Sequence, residues 1–546
     1  MKFTKLQHRW LVCATAVCLE LIPRALIRTI RGDFYFSNYS KATLARLKQE
    51  FDSSDDRRGK YVLLDAFPLP HWVLLNGIVA QQLNEKFGTQ SATFDFSNRV
   101  GPVEELFNAA GIKNHLRIRL DARGWARAIF CYINVIRWIG AGHKLIDLEL
   151  NGVNIGLDIY ESVLRRGHAT VDYTHIDTYR ELWRGVKQYY FFLPKFENKL
   201  IAFALLSHDN YVGPGLLSRI AFNYGVPVIL ANPFEIDIVT KPFELYERFQ
   251  HYPRYFDALT EAKKDEFLSE AKKYLKMRIE GEVGIGTMRY QILSAFNSQT
   301  LPRQTSNSTR SKVLVLAHDF FDNPHGYRKM PFDDFLDWLY FIAEVAEVTD
   351  HEWYIKIHRD YSEIEHAIIS QFVDSHPKFV LLSPDVSYGQ LYREGIRHAT
   401  TCFGSAGHEL PLLNFTVINA SYNPHVSYDF NLHAHSRDEY KKFLIELPTL
   451  ELNSERLNQL YEFYVVHTFL MWPDSFNFTS YADFNQYVDG DLTSDKAVGW
   501  LLDNFAEIKN RTLANLASAL EFGRKFSVES GLPPEMQQKI ELPVNW

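Results

Sequence analysis

KVLVLAHDFFDNPHG, residues 312–326, is the stretch whose reading decides the fold. Its first six residues form a short apolar, β-rich run, and a cluster of histidine, carboxylate and turn residues follows at once. The same grammar repeats downstream. A strand is predicted at 353–357 (WYIKI), with HRD after it, and the cluster TCFGSAGHEL at 401–410 precedes another strand at 416–419. Helical periodicity fills the intervals at 332–348, 362–375 and 388–398, and 379–382 reads as one more strand. Strands alternating with helices predict a doubly wound, mostly parallel sheet.

The pattern also extends towards the N-terminus. YVLLDAF at 61–67 reads as a strand, 71–86 as a helix stopped by Gly88, and 91–96 as the next strand. A second copy runs through 199–206 (strand), 213–224 (helix ended by Gly225) and 226–231 (strand). Tight βαβ succession implies parallel pairing through right-handed crossovers. At 546 residues the chain exceeds what one core holds, so two α/β domains are expected. The boundaries read from composition are a helical extension at 1–55, a Rossmann-like domain at 56–298, a polar linker at 299–311, a second Rossmann-like domain at 312–435, and a helical region at 436–546 packing back on the first.

Hydrophobic residues make up 46% and charged residues 23%, the balance of a globular protein. The net charge of −7 argues against a nucleic-acid partner. Cys13, Cys18, Cys131 and Cys402 show no zinc or CxxC spacing, which points to a reducing, cytoplasmic setting and no metal centre. Lys2, Lys5 and Arg9 precede an apolar run at 11–19 too short to span a bilayer. With Arg24, Arg28 and Arg31 it reads as a basic amphipathic helix, suited either to peripheral contact with the inner membrane or to the protein's own body.

Ligands of open α/β sheets bind beyond the carboxyl ends of the strands, so the polar residues placed there are the candidates. After 199–206 come His208, Asp209, Asn210 and Tyr211, where His208 or Asp209 suits a general base and Asp209 or Asn210 alternatively caps a helix. After 312–317 come His318, Asp319, Asp322 and His325, residue types for acid–base work or hydroxyl recognition. Lys356, His358 and Arg359 at the next tip offer charge to a phosphate. Gly404, Ser405 and Gly407 let backbone N–H groups approach a phosphate, and Glu409, acceptor-only, suits two vicinal ribose hydroxyls.

WYIKIHRD and TCFGSAGHELPLLNFTVINA stand where GT-B glycosyltransferases of bacterial capsule and lipopolysaccharide assembly carry a strand ending in Lys-x-His-Pro, then a Gly-Ser/Thr turn and a helical Glu. The second half resembles the nucleotide-binding domain of that group, which includes Kdo transferases, polysialyltransferases and the glycerophosphotransferases of teichoic acid synthesis. Arg359 departs from the pattern, standing where proline is usual. The resemblance implies a metal-independent transferase with no cofactor, whose co-substrate is a nucleotide-activated sugar. Lys356, His358, Arg359, Gly404, Ser405 and Glu409 would bind the donor, with His358 and Ser405 on phosphate and Glu409 on ribose. The acceptor, a polysaccharide or lipid-linked glycan, would meet Asp65, His71, Asn210 and Tyr211 on the first domain. An inverting reaction would take Asp209 or His208 as base, with Asp65 behind them. A retaining one would use Asp319 or His325. A CDP-alcohol phosphotransferase and a non-catalytic scaffold are the alternatives.

Overall fold

The computed structural model describes residues 12–18, 39–51, 59–95, 102–282, 294, 296, 300–327, 330–357, 361–450, 455–472, 476–478 and 480–522. His358, Arg359 and most of the basic N-terminal segment lie outside these residues. The strands in chain order are β1 (Tyr61–Asp65), β2 (Gln90–Asp95), β3 (Asn114–Arg117), the two-residue pair β4 (Glu149–Leu150) and β5 (Val153–Asn154), β6 (Ile201–Leu206), β7 (Val228–Asn232) and β8 (Glu235–Val239). The second series is β9 (Lys312–Leu316), β10 (Glu352–Lys356), β11 (Phe379–Leu381), β12 (His398–Thr401), β13 (Thr416–Asn419) and β14 (Leu432–His433).

These strands form two six-stranded sheets of equivalent connectivity, ordered β3-β2-β1-β6-β7-β8 and β11-β10-β9-β12-β13-β14. All neighbours pair in parallel except β7 with β8. Both are Rossmann-type sheets, with the reversal of strand order falling between β1 and β6 in one and between β9 and β12 in the other. Two such lobes joined by helices form the GT-B architecture.

Period-two alternation puts both faces of each sheet in a core. In β1, Val62 and Leu64 face the side covered by the helix Pro70–Phe87 and by the C-terminal helices Asp495–Asp503 and Phe505–Phe522; Leu63 faces the other. Val313 and Val315 of β9 likewise oppose Leu314 and Leu316. The C-terminal return on the first lobe is therefore a hydrophobic seam, with Leu501, Phe505 and Leu516 sharing a cluster with Val73 and Ile78. A further cluster, from Phe249 and Tyr252 through Tyr428 to Phe463 and Tyr464, fills the helical bridge between the lobes.

Local signals explain most element ends. Gly88 and Gly225 stop their helices in the left-handed region at φ 63° and 65°, which costs glycine little. Ser362 starts Glu363–Ser375 with a capping box to Glu365. Two expectations need correction. The helix expected at 388–398 stops at Arg393, and His398–Thr401 forms β12, central in its sheet. Gly395 at φ 100° turns the chain there, and four residues are too few to show a period. The helix expected from 213 begins at Leu216, because Gly213 at φ 137° and Pro214 make an irregular turn first. The polar segment before β9 is tied to the second lobe: the backbone N–H groups of Gln304 and Thr305 both donate to Glu394 at 2.9 Å, and Ser306 Oγ bonds Glu352 at 2.6 Å.

Candidate functional site

The loops at the two switch points face each other. Tyr211, after β6, donates its hydroxyl to Asp322 Oδ1 at 3.3 Å, and Asp322 follows β9. Arg165 Nη1 lies 3.9 Å from the same carboxylate. Tyr160 bonds Asp334, Lys144 bonds Asp333 at 2.6 Å, and the rings of Tyr246 and Tyr327 meet at 5.3 Å. The lobes are held with the carboxyl ends of their strands towards a shared gap.

On the first lobe, Asp65 ends β1 and Ser207 follows β6, so parallel pairing sets them side by side. The Ser207 backbone N–H donates to both Asp65 oxygens, at 3.1 and 3.2 Å, and its hydroxyl donates to Oδ2. Ser207 Oγ also lies 2.6 Å from His208 Nδ1. With the serine proton committed to the carboxylate, its oxygen accepts from Nδ1–H, leaving Nε2 of the half-buried imidazole as the basic nitrogen. Burial raises the Asp65 pKa to about 6 against the opposing Ser207 bonds. Burial, helped by Arg165, lowers that of His208 to about 4. Phe67 and Tyr211 present rings edge-on to His208 at 5.9 and 6.0 Å.

Asp209 stands beside this trio, its pKa raised by burial against the pull of Arg219. Asn210 shapes the loop, its carbonyl accepting from Gly215 N–H at 3.0 Å. His71 is elsewhere. It is 1% exposed, boxed by the rings of Trp72, Phe478, Tyr481 and Phe484, and burial lowers its pKa to about 3. It belongs to the seam where the C-terminal segment lands on the first lobe, not to an acceptor surface.

On the second lobe, His318 closes the switch point. Its Nε2 accepts from the Cys402 N–H at 3.1 Å and lies 2.8 Å from Thr401 Oγ1, while its ring stacks on Phe335 at 4.6 Å. Burial lowers its pKa to about 3, so it is a neutral strut across β9 and β12. Gly404 packs closely here: a Cβ would come 3.1 Å from Thr401 Oγ1 and 3.3 Å from His318 Cε1, so a larger residue would have to push this strut aside. Asp319 is turned into its own loop, accepting from Phe321 N–H at 2.8 Å. His325 reaches the first lobe, but its ring is fully buried, with Nδ1 3.3 Å from Glu161 Oε1 and Nε2 3.2 Å from Phe332 O. It joins the lobes and presents no open face.

Glu409 and Ser405 are brought together in one turn, the Glu409 N–H donating to the Ser405 carbonyl at 3.0 Å. Glu409 Oε1 also accepts from Arg278 Nε at 3.0 Å, a buried pair that the sequence reading did not foresee. Burial raises the Glu409 pKa, and Arg278 opposes that shift. Lys356 Nζ, buried, donates to Pro384 O at 2.8 Å and lies 5.6 Å from the ring of Tyr388, which itself feels the Glu409 charge. Ala406–Glu409 is a single helical turn continued as a 3-10 turn, Leu410–Leu413. Arg278 gives no local signal because its role depends on a helix, Glu261–Ile279, from the other side of the bridge.

Among the described residues, His168, His175 and Asp177 group their ligand atoms within 4.8 Å, where the chain enters the helix Ile176–Glu197. Asp177 there is already bonded to Arg180 and His168, each at 3.2 Å.

No family model matches the sequence, and no curated protein matches it. Solved structures similar to parts of the chain include the beta Kdo 2,4 transferase KpsC of Thermosulfurimonas dismutans. It shows 12% identity over 50% of this chain and 80% of that one, with a TM-score of 0.28. The UDP-GlcNAc 2-epimerase of Methanocaldococcus jannaschii follows at 11% identity, 74% and 98% coverage and a TM-score of 0.22. A glycosyltransferase from Rickettsia africae ESF-5 shows 10% identity, 84% and 100% coverage and a TM-score of 0.22. Scores this low leave function to the geometry of the site itself.

Proposed function

We propose that this protein is a glycosyltransferase moving a sugar from a nucleotide-activated donor to a hydroxyl of a glycan acceptor. The observation that carries the proposal is the opposition of two Rossmann switch points, joined through Tyr211 and Asp322, with a basic imidazole on one side and a glycine-serine turn with a carboxylate on the other.

The donor fits the second lobe. Ser405 offers its hydroxyl, and Glu409 keeps one carboxylate oxygen beyond that held by Arg278 for a ribose hydroxyl. His358 and Arg359, beyond β10, would add donors to the leaving phosphate. The acceptor hydroxyl fits the first lobe at His208 Nε2, which takes its proton as the hydroxyl attacks the anomeric carbon. Asp65, through Ser207, holds the imidazole in the tautomer that makes this possible. Orientation by two lobes supplies much of the rate in such a reaction, and fixed donors at the phosphate the rest. We assign the reaction to surface-polysaccharide assembly on the sequence resemblance, with a polysaccharide or lipid-linked acceptor.

The test is a thermal-shift panel of nucleotide sugars and CDP-alcohols, followed by mass spectrometry of products. A ligand at a hundred times its Kd stabilises by about 2.7 kcal/mol, which a melting curve reads easily. A rise with a nucleotide sugar and a glycosylated product supports the proposal. A response to CDP-alcohols alone, or to none of the panel, overturns it.

A further inference from the structure

The helix Ala122–Gly140, on the outside of the first lobe, carries a second surface outside the gap. Its inner positions Ala128, Cys131, Tyr132, Val135, Ile136 and Ile139 are buried in the core. Its outer stripe is Arg123, Arg127, Phe130, Asn134 and Arg137, spaced i, i+4, i+7, i+11 and i+14, so they share one exposed face. Phe130 is 69% exposed, the most exposed large apolar side chain among the described residues, and Ile129 beside it is 43% exposed. Lys113, Arg117 and Arg119 lead into the helix and are also exposed. The one acid in this stretch, Asp121, is spent as the N-cap, accepting from Gly124 N–H at 2.6 Å. Among the described residues none of the three stripe arginines has an ion-pair partner.

On a chain of net charge −7 this face concentrates positive charge, which complements an anionic partner. A phenylalanine and an isoleucine held out among arginines gain nothing from a soluble polyanion, whereas at a bilayer they enter the acyl boundary while the guanidinium groups stay with the headgroups. The short helix at 12–18 lies against the same element, Tyr132 donating its hydroxyl to Cys13 O at 3.4 Å. The helix starts just beyond the carboxyl end of β3, on the edge of the sheet where the gap between the lobes opens. Among the described residues no helix is long and apolar enough to cross a membrane.

We infer that the face formed by Arg123, Arg127, Phe130 and Arg137 seats the first lobe on an anionic lipid bilayer. Docking there brings the gap towards the headgroups, where an acceptor carried on a lipid is presented.

The experiment is flotation of the full chain with vesicles of phosphatidylcholine alone and of phosphatidylcholine with phosphatidylglycerol. Binding is expected only to the anionic vesicles and should weaken as salt is raised. Each arginine at such a surface contributes about fivefold in affinity, so Arg123→Gln, Arg127→Gln and Arg137→Gln together should weaken binding about a hundredfold. Phe130→Ser should also weaken binding, with all charges kept. These side chains are exposed, so the variants should melt with the wild type. Equal binding to both vesicle types, or unchanged binding by the triple variant, overturns the inference. So does a Phe130→Ser variant that floats like wild type while dextran sulfate binding follows the arginines, because the face then serves a soluble polyanion.

Discussion

Glu409 Oε1 accepts from Arg278 Nε at 3.0 Å with both side chains about 2% exposed, tying the turn after β12 to a helix 131 residues earlier in the chain. The carboxylate that the sequence assigns to a ribose is thus also one half of a buried ion pair. Removing it alone strands a guanidinium in the interior.

Glu409→Ala should therefore destabilise the fold by about 3–5 kcal/mol, beyond any loss of nucleotide binding. Arg278→Met combined with Glu409→Leu should fall much closer to wild type, since apolar replacement of both partners removes the stranded charge. Urea unfolding measures both. If the double variant stays folded and no longer responds to nucleotide, the ribose role of Glu409 is separated from its structural one.

His208 should set the acid limb of kcat/KM. A base must be unprotonated, and burial holds this imidazole to a pKa of about 4, so the rate should fall as pH drops through that value. His208→Ala should lower kcat by roughly 10²–10⁴-fold with little change in KM. Ser207→Ala should shift the limb, because Nδ1 then loses the oxygen that orients it. An acid limb unchanged in His208→Ala would transfer the role to Asp209.

His71→Phe should make the protein less acid-sensitive. The buried ring stays neutral down to about pH 3, while in the unfolded chain it takes a proton below its ordinary value of 6.5. Between those values the wild type loses about 1.4 kcal/mol per pH unit from this group, and the phenylalanine variant does not. The stability of the variant relative to wild type should thus rise steadily from pH 6.5 downwards in denaturant titrations. A constant difference would mean that the ring is protonated in the folded protein.

Gly215→Ala should disable the loop between β6 and its helix. A Cβ there would lie 2.3 Å from Asp158 Oδ1 and 2.6 Å from the Asn210 backbone. Crowding of this kind typically costs about 1–3 kcal/mol, and relief of it moves Asn210 and its neighbours Asp209 and Tyr211. Calorimetry should show a folded protein of lower Tm, and activity should fall by more than that loss explains.

The amino-acid sequence alone determined the two α/β lobes, because many of their strands and helices are announced by short-range chemistry. Apolar runs end at polar clusters, Gly88 and Gly225 take the left-handed turn that stops a helix, and Ser362 caps the next one. Most candidate residues at strand ends were legible for the same reason: Asp65, His208 and Asp209 come together at one switch point, Ser405 and Glu409 at the other. Only the tertiary structure decided what depends on partners far along the chain. Four-residue β12 has no period to read and exists because β9 and β13 flank it. His71 and His325 look like site histidines in sequence, but packing by the C-terminal rings and by Glu161 places them in interior contacts. Arg278 acquires its meaning from Glu409, and no local pattern records a charge held across a folded bridge.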